Sequence, residues 1–178
     1  MPAFSPLLRV SAIKLQSSIL QISISPGGLP KRPIREGYID ILGVTGDSHA
    51  HPQFHGGPRQ ALLIITSEVI AELTARGYPL FYGALGENLT TEGLDRRELR
   101  IGDQIRAGGA LLEITKLRVP CSQLDLYGES IKGELWDKRV KDGDYSSPRW
   151  GMSGFYCSVL QPGPVRPGDI ITVVAKLA

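Results

Sequence analysis

Apolar positions in this chain come mostly in alternation or in short blocks, and few stretches hold a helical period. Residues 7 to 24 (LLRVSAIKLQSSILQISI) mix alternation with β-branched side chains and then meet "SPGGLPKRPI", which predicts two short strands ending in a loop. "GYIDILGVTGD" predicts another strand running into glycine turns, and residues 47 to 59 (DSHAHPQFHGGPR) predict a loop. Ala61 to Ile65 is a continuous apolar run of buried-strand length. Ser67 then offers an N-cap for a helix with Val69, Ile70 and Leu73 on one face and Gly77 as its stop. Residues 78 to 95 (YPLFYGALGENLTTEGLD) are dominated by glycine and threonine and predict a second long loop.

"LRIGDQI" at 99 to 105 is echoed by "VRPGDII" at 165 to 171, each reading as a tight Gly-Asp turn that feeds a strand. "ALLEITKLRV" predicts a strand that stops near Val119, because Pro120 forces extended geometry on its predecessor and donates no ladder hydrogen bond. Ile131, Leu135, Trp136 and Val140 predict a helix over 129 to 140 despite Gly133, and "GFYCSVL" and "DIITVVAKL" predict closing strands. No linker interrupts the 178 residues, so one domain, mainly β with small helices, spans 1–178.

Composition narrows the function classes. Twenty basic against 18 acidic residues leave a net charge of +2, too even to suggest a nucleic acid partner. The longest apolar run is far short of the ~20 residues that cross a bilayer, so no membrane span is expected. Met1-Pro-Ala-Phe-Ser opens no charged and then apolar leader, which makes a reducing cytoplasm the expected location and an internal disulfide unexpected.

Of the two cysteines, Cys121 stands out by its neighbours. It follows Pro120 and precedes Ser122 and Asp125, an S-x-x-D pattern that places it just ahead of a helix N-cap. The positive end of that helix and the charge of Arg118 would favour thiolate, a soft ligand and nucleophile. The alternative is a buried space-filler, the reading that fits Cys157 in its apolar strand. All the histidines, His49, His51 and His55, cluster after Asp47, which raises a zinc-dependent hydrolase, although no histidine elsewhere completes a ligand set. Gly56 and Gly57 allow close backbone approach to a ligand, and Arg59 can grip an oxyanion. In "GENLTT", Gly86 suits a turn, Glu87 and Asn88 offer directional hydrogen bonds, and Thr90 and Thr91 are possible caps. Loops of this kind could converge at the mouth of a small barrel.

"PKRP", "GVTGD…HGGPRQAL", "GALGENLTTEGL", "IGDQI", "RVPC" and "GFYCSVLQPGPV", in this order, resemble the MOSC domain family, most closely its small stand-alone bacterial members, over roughly residues 9 to 174. The resemblance implies a closed β-barrel like the small barrel domain of pyruvate kinase, holding a molybdenum-pterin cofactor (Mo-molybdopterin). It implies an oxidoreductase acting on N-hydroxylated or N-oxygenated small molecules. Cys121 matches the molybdenum ligand; His55, Gly56 and Gly57 match the HGG element, Glu87 and Asn88 the GEN element, Arg118 the arginine of R-x-P-C and Lys31 the early lysine. Lys31, Arg59 or Arg118 would take the pterin phosphate and Asn88 the pterin edge. Nothing in the sequence resembles an iron-sulfur or flavin module, so a separate electron-donating reductase of either kind is expected as partner. A cofactor or sulfur carrier, with a persulfide on Cys121, needs the same thiolate and stands as the alternative.

Overall fold

The computed structural model describes residues 16–48 and 56–177. Its elements in chain order are β1 (Ser18–Ile24), β2 (Arg32–Ile34), β3 (Gly37–Asp40), β4 (Gly43–Val44), β5 (Leu62–Thr66), α1 (Ser67–Ala75), β6 (Leu89–Glu92), β7 (Gln104–Ala107), β8 (Ala110–Leu117), α2 (Ile131–Leu135), α3 (Lys138–Lys141), β9 (Phe155–Gln161), β10 (Gly163–Val165) and β11 (Ile171–Ala175). The protein is mainly β with few helices. One sheet runs β11-β7-β8-β9-β5-β6-β1-β2, and a smaller one runs β10-β3-β4.

The apolar run at β5 is explained by burial on both faces. Leu62 and Ile64 join Ile22, Leu89, Ile114, Phe155 and Cys157 in one core, while Leu63 and Ile65 join Val69, Leu73, Leu124, Ile131 and Leu135 in a second beneath the helices. β5, α1 and β6 form a crossover unit, and β6 lies parallel to β5 with Ile64 opposite Leu89. The two Gly-Asp turns feed strands that pair with each other, β7 with β11, so the sequence echo marks adjacent strands of one sheet.

Several expectations need correction. The 78 to 95 stretch is not all loop, because Leu89–Glu92 is a buried strand. The cap of α1 is Thr66 rather than Ser67, and it makes no side-chain cap hydrogen bond. Gly77 does end α1, at φ +97°, with its N–H on Thr74 O at 3.0 Å. The 129 to 140 helix is split in two, since Asp137 caps α3 by accepting Val140 N at 2.8 Å and leaves Trp136 extended. The closed barrel is not completed by a strand ladder. Near its start β1 meets the segment before β11 through one antiparallel bridge, Ser18 to Ile170, with backbone bonds from Ile171 N to Ser17 O at 2.9 Å, Ile19 N to Asp169 O at 2.9 Å and Gly168 N to Ile19 O at 2.7 Å. Among the described residues no helix is long and apolar enough to cross a membrane.

Candidate functional site

One end of the large sheet gathers the chain segments that carry the candidate residues. Lys31 precedes β2, Asn88 precedes β6, and Arg118 and Cys121 follow β8; all four line one solvent-open cleft. Gln60 and Leu62 from the start of β5, Tyr156 from β9 and Gln123 complete much of its wall. The strand of "ALLEITKLRV" ends where Pro120 requires, and the chain turns so that Cys121 faces the cleft.

Cys121 is itself the cap of a short 3-10 helix, Ser122–Tyr127, where the sequence predicted it one residue before a cap. Its side chain makes no cap hydrogen bond, and its carbonyl accepts Leu124 N at 3.1 Å. Six residues of 3-10 geometry supply little dipole, so the charge near the thiol comes from Arg118. Cys121 is free and half-buried; Cys157 is free and fully buried at the centre of the sheet, opposite Leu62 and Ile114. Burial pushes the Cys157 thiol far up, with Glu113 adding to the shift, so it stays protonated.

Arg118 is the most unusual group in the cleft. It is 6% exposed, and its Nη1 is buried with no hydrogen-bond partner. Burial lowers its affinity for its proton, opposed by Tyr156, Cys121 and Glu87. Such a cation, held by the fold and not neutralised by contact, is poised for an anion.

Lys31 is equally buried but already paired. Its ammonium contacts both carboxylate oxygens of Asp47, which also accepts Ser25 N at 2.9 Å and Asn88 Nδ2 at 2.8 Å. Asp47 was noted in sequence only as a neighbour of the histidines, and its role as the hub of this junction had no local signal. Asn88 donates its second amide hydrogen to Ser23 O and accepts Leu63 N with Oδ1, both at 3.1 Å. Both of its side-chain N–H groups are thus engaged inside the protein, joining Asp47 to β1, while Oδ1 holds β5.

Glu87 lies between two cleft-lining residues, Gly86 and Asn88, yet turns away from the opening. It is fully buried, with Oε1 accepting Gly83 N at 2.6 Å and Thr90 Oγ1 at 3.1 Å. Oε2 has no partner, and burial raises the carboxyl above its ordinary value despite those hydrogen bonds and the charge of Arg118. Gly83 is needed here: at φ +93°, a Cβ would fall 2.3 Å from Lys31 O.

The HGG element is less engaged with the cleft. Gly56 and Gly57 take φ of +88° and +83° and lead into a 3-10 turn, Pro58–Gln60. A side chain at Gly57 would meet open space, and the Arg59 side chain is exposed while its carbonyl accepts Thr115 Oγ1 at 2.5 Å. Gln60, the next residue, reaches the cleft wall. His49, His51 and His55 lie outside the described residues, so the zinc reading is untouched; among the described residues no three His, Cys, Asp or Glu side chains cluster as a metal site.

Fold and cleft together define a class: a mainly β domain that presents a lone thiol beside a buried cation at one end of its sheet. Residues 51–172 match the MOSC domain, and the chain belongs to that family, which is associated with molybdenum cofactor binding. It is 31% identical over 142 residues to Protein YiiM of Escherichia coli strain K12, covering 77% of this chain and 58% of that protein. It is 28% identical over 175 residues to a protein of Gibberella moniliformis named Reductase, covering 96% of this chain and 29% of that one. The chain therefore spans less than two thirds of these relatives' lengths. The crystal structure of YiiM from Geobacillus stearothermophilus superposes with a TM-score of 0.66 at 26% identity, covering 89% of this chain and 75% of that one.

Proposed function

We propose that the chain binds a molybdenum-pterin cofactor in the Cys121 cleft and acts as an oxidoreductase on N-hydroxylated or N-oxygenated small molecules. The observation that carries this is the placement of a half-buried free thiol and a buried guanidinium whose Nη1 has no hydrogen-bond partner on one cleft. The donor set suits the group: a soft metal takes a thiolate, and an anionic pterin phosphate takes a fixed cation. When bound, the cofactor supplies two-electron oxygen-atom chemistry at molybdenum.

Cys121 would ligate the metal, and Arg118 would hold the anionic end of the cofactor. Lys31 and Asn88 act through the Asp47 junction that keeps the wall in place. Glu87 acts on Arg118 through its charge, Gly56, Gly57 and Arg59 supply the turn that leads to Gln60, and His55 would join the cofactor site. The same reading takes the Ser18 to Ile170 bridge as the seam of a barrel. The name of the Gibberella relative supports a reductase, and electrons would come from a separate flavin or iron-sulfur protein in the same compartment, the cytoplasm.

Protein purified from cells that make the cofactor should carry molybdenum and pterin near one per chain, lost in Cys121→Ser with the fold intact. Labile sulfur without molybdenum would replace this reading with the carrier one. Zinc retained through His49, His51 and His55 would replace it with the hydrolase.

A further inference from the structure

Glu87 and Arg118 are buried groups that interact electrostatically without a hydrogen bond between them. Glu87 Oε2 and Arg118 Nη1 are both buried and both without a partner. The two lie within electrostatic reach, and only Arg118 lines the cleft. Glu87 is fixed from the other side by Gly83 N and Thr90 Oγ1, so it cannot swing into the opening without giving up both bonds.

We propose that Glu87 is a positioning residue that acts through Arg118: its proton sets how much uncompensated positive charge the cleft presents to an anion. This rests on the reading of Arg118 as the anion anchor and adds a control to it. With Glu87 protonated, the guanidinium carries a full charge in a poorly screened site. With Glu87 ionised, the carboxylate offsets that charge and also repels an anion bound on the far side of Arg118. Anion affinity therefore falls as pH rises through the carboxyl's midpoint, and by linkage a bound anion draws a proton onto Glu87.

The groups around the pair are Tyr127 from the Ser122–Tyr127 turn, whose hydroxyl is also unpartnered, Tyr156 from β9, and Cys121. Burial raises both tyrosines, which keeps them neutral through the range where a carboxyl titrates. Burial likewise holds the Glu87 carboxyl above its ordinary value. Lys31 is tied to Asp47 on the cleft wall.

Sulfate is the probe, because it keeps its charge from about pH 5 to about pH 8 and so reports the protein's titration alone. Calorimetric titration of the cofactor-free chain should give a wild-type affinity that falls several-fold as pH rises through the Glu87 midpoint, which carboxyl carbon NMR of the labelled protein locates. Glu87→Gln should hold the acid-side affinity throughout, and Arg118→Gln should abolish binding. If Arg118→Gln abolishes binding but wild type and Glu87→Gln share one pH profile, the role of Glu87 is refuted while Arg118 remains the anchor. If sulfate does not bind, or binds regardless of Arg118, the anchor reading fails and takes this inference with it. Should Glu87→Gln not fold, carboxyl carbon NMR of labelled wild-type protein decides: sulfate must move the Glu87 midpoint upward, and an unmoved midpoint overturns the proposal.

Discussion

Replacing Asp47 with alanine removes the counter-charge of a buried ammonium and undoes a junction of four hydrogen bonds. The Lys31 and Asp47 side chains are 6% and 5% exposed. Removing one partner of a buried pair costs about 3–5 kcal/mol, because the other charge stays out of water uncompensated. Lys31 lines an open cleft, where water can reach part of the ammonium, so the loss should fall at the low end, about 3 kcal/mol. Lys31→Met should cost less, about 2 kcal/mol, since the stranded carboxylate keeps Ser25 N and Asn88 Nδ2. The double variant removes both charges, and a coupling energy of about 2 kcal/mol should make it much milder than the sum. Urea unfolding of the cofactor-free protein, followed by tryptophan fluorescence, measures all four species. Single-variant costs that add to within about 0.5 kcal/mol in the double variant would refute the pairing.

Cys157→Ser should lose about 1–3 kcal/mol of stability by burying a hydroxyl in an apolar strand yet keep molybdenum, while Cys121→Ser should lose less than ~1 kcal/mol and all of the metal. Urea midpoints and metal analysis separate the two, and the reverse pattern would place the site on the wrong cysteine. Glu87→Gln should help the fold increasingly as pH rises. Above 4.5 the unfolded chain releases a proton that the buried carboxyl keeps, so wild-type stability falls between 4.5 and the raised folded value. Glutamine does not titrate, so the gap in thermal midpoint between variant and wild type should widen over that window; a constant gap contradicts it. Gly83→Ala should cost about 1–3 kcal/mol from the positive φ alone, and more from the contact with Lys31 O, in the same urea assay.

The parts of the fold visible in sequence were those governed by local period and turn chemistry. β5 announced itself as an apolar run because both of its faces are covered, and β8 ended at Leu117, within three residues of the stop that Pro120 imposes. β6 stayed hidden because its residues, LTTE, include polar side chains that are buried only through pairing with β1 and β5. Thr90 looks like a loop residue until Glu87 accepts its hydroxyl. The cleft residues were legible as types and order, but their partners were not. Lys31 and Asp47 are far apart in sequence, as are Asn88 and Ser23, and no spacing rule links them. Sequence alone offered Lys31, Arg59 and Arg118 as equivalent cations; geometry separates them into one paired, one exposed and one buried without a partner.

That separation follows from how Glu87 and Asn88 enter β6. Adjacent residues in extended chain face opposite ways. Asn88 faces the gap between β1 and β5 and replaces with its side chain the bonds that Ser23 O and Leu63 N would otherwise make to a neighbouring backbone. Glu87 faces the loop at Gly83 and fixes it where Gly83 O accepts Lys31 N at 2.9 Å. One dipeptide therefore locks two walls of the cleft, and it does so because the Asn88 amide and Glu87 Oε1 are spent inside the protein. A residue saturated in this way holds geometry and leaves recognition to others. Among the described side chains lining the cleft, Arg118 is the one with a buried donor still unused, and it sits three residues from the thiol on a segment that Pro120 turns out of the sheet. The rigid frame and the reactive pair are thus drawn from different segments, so variation at Gln60 or Gln123 can alter what the cleft accepts without loosening what holds it.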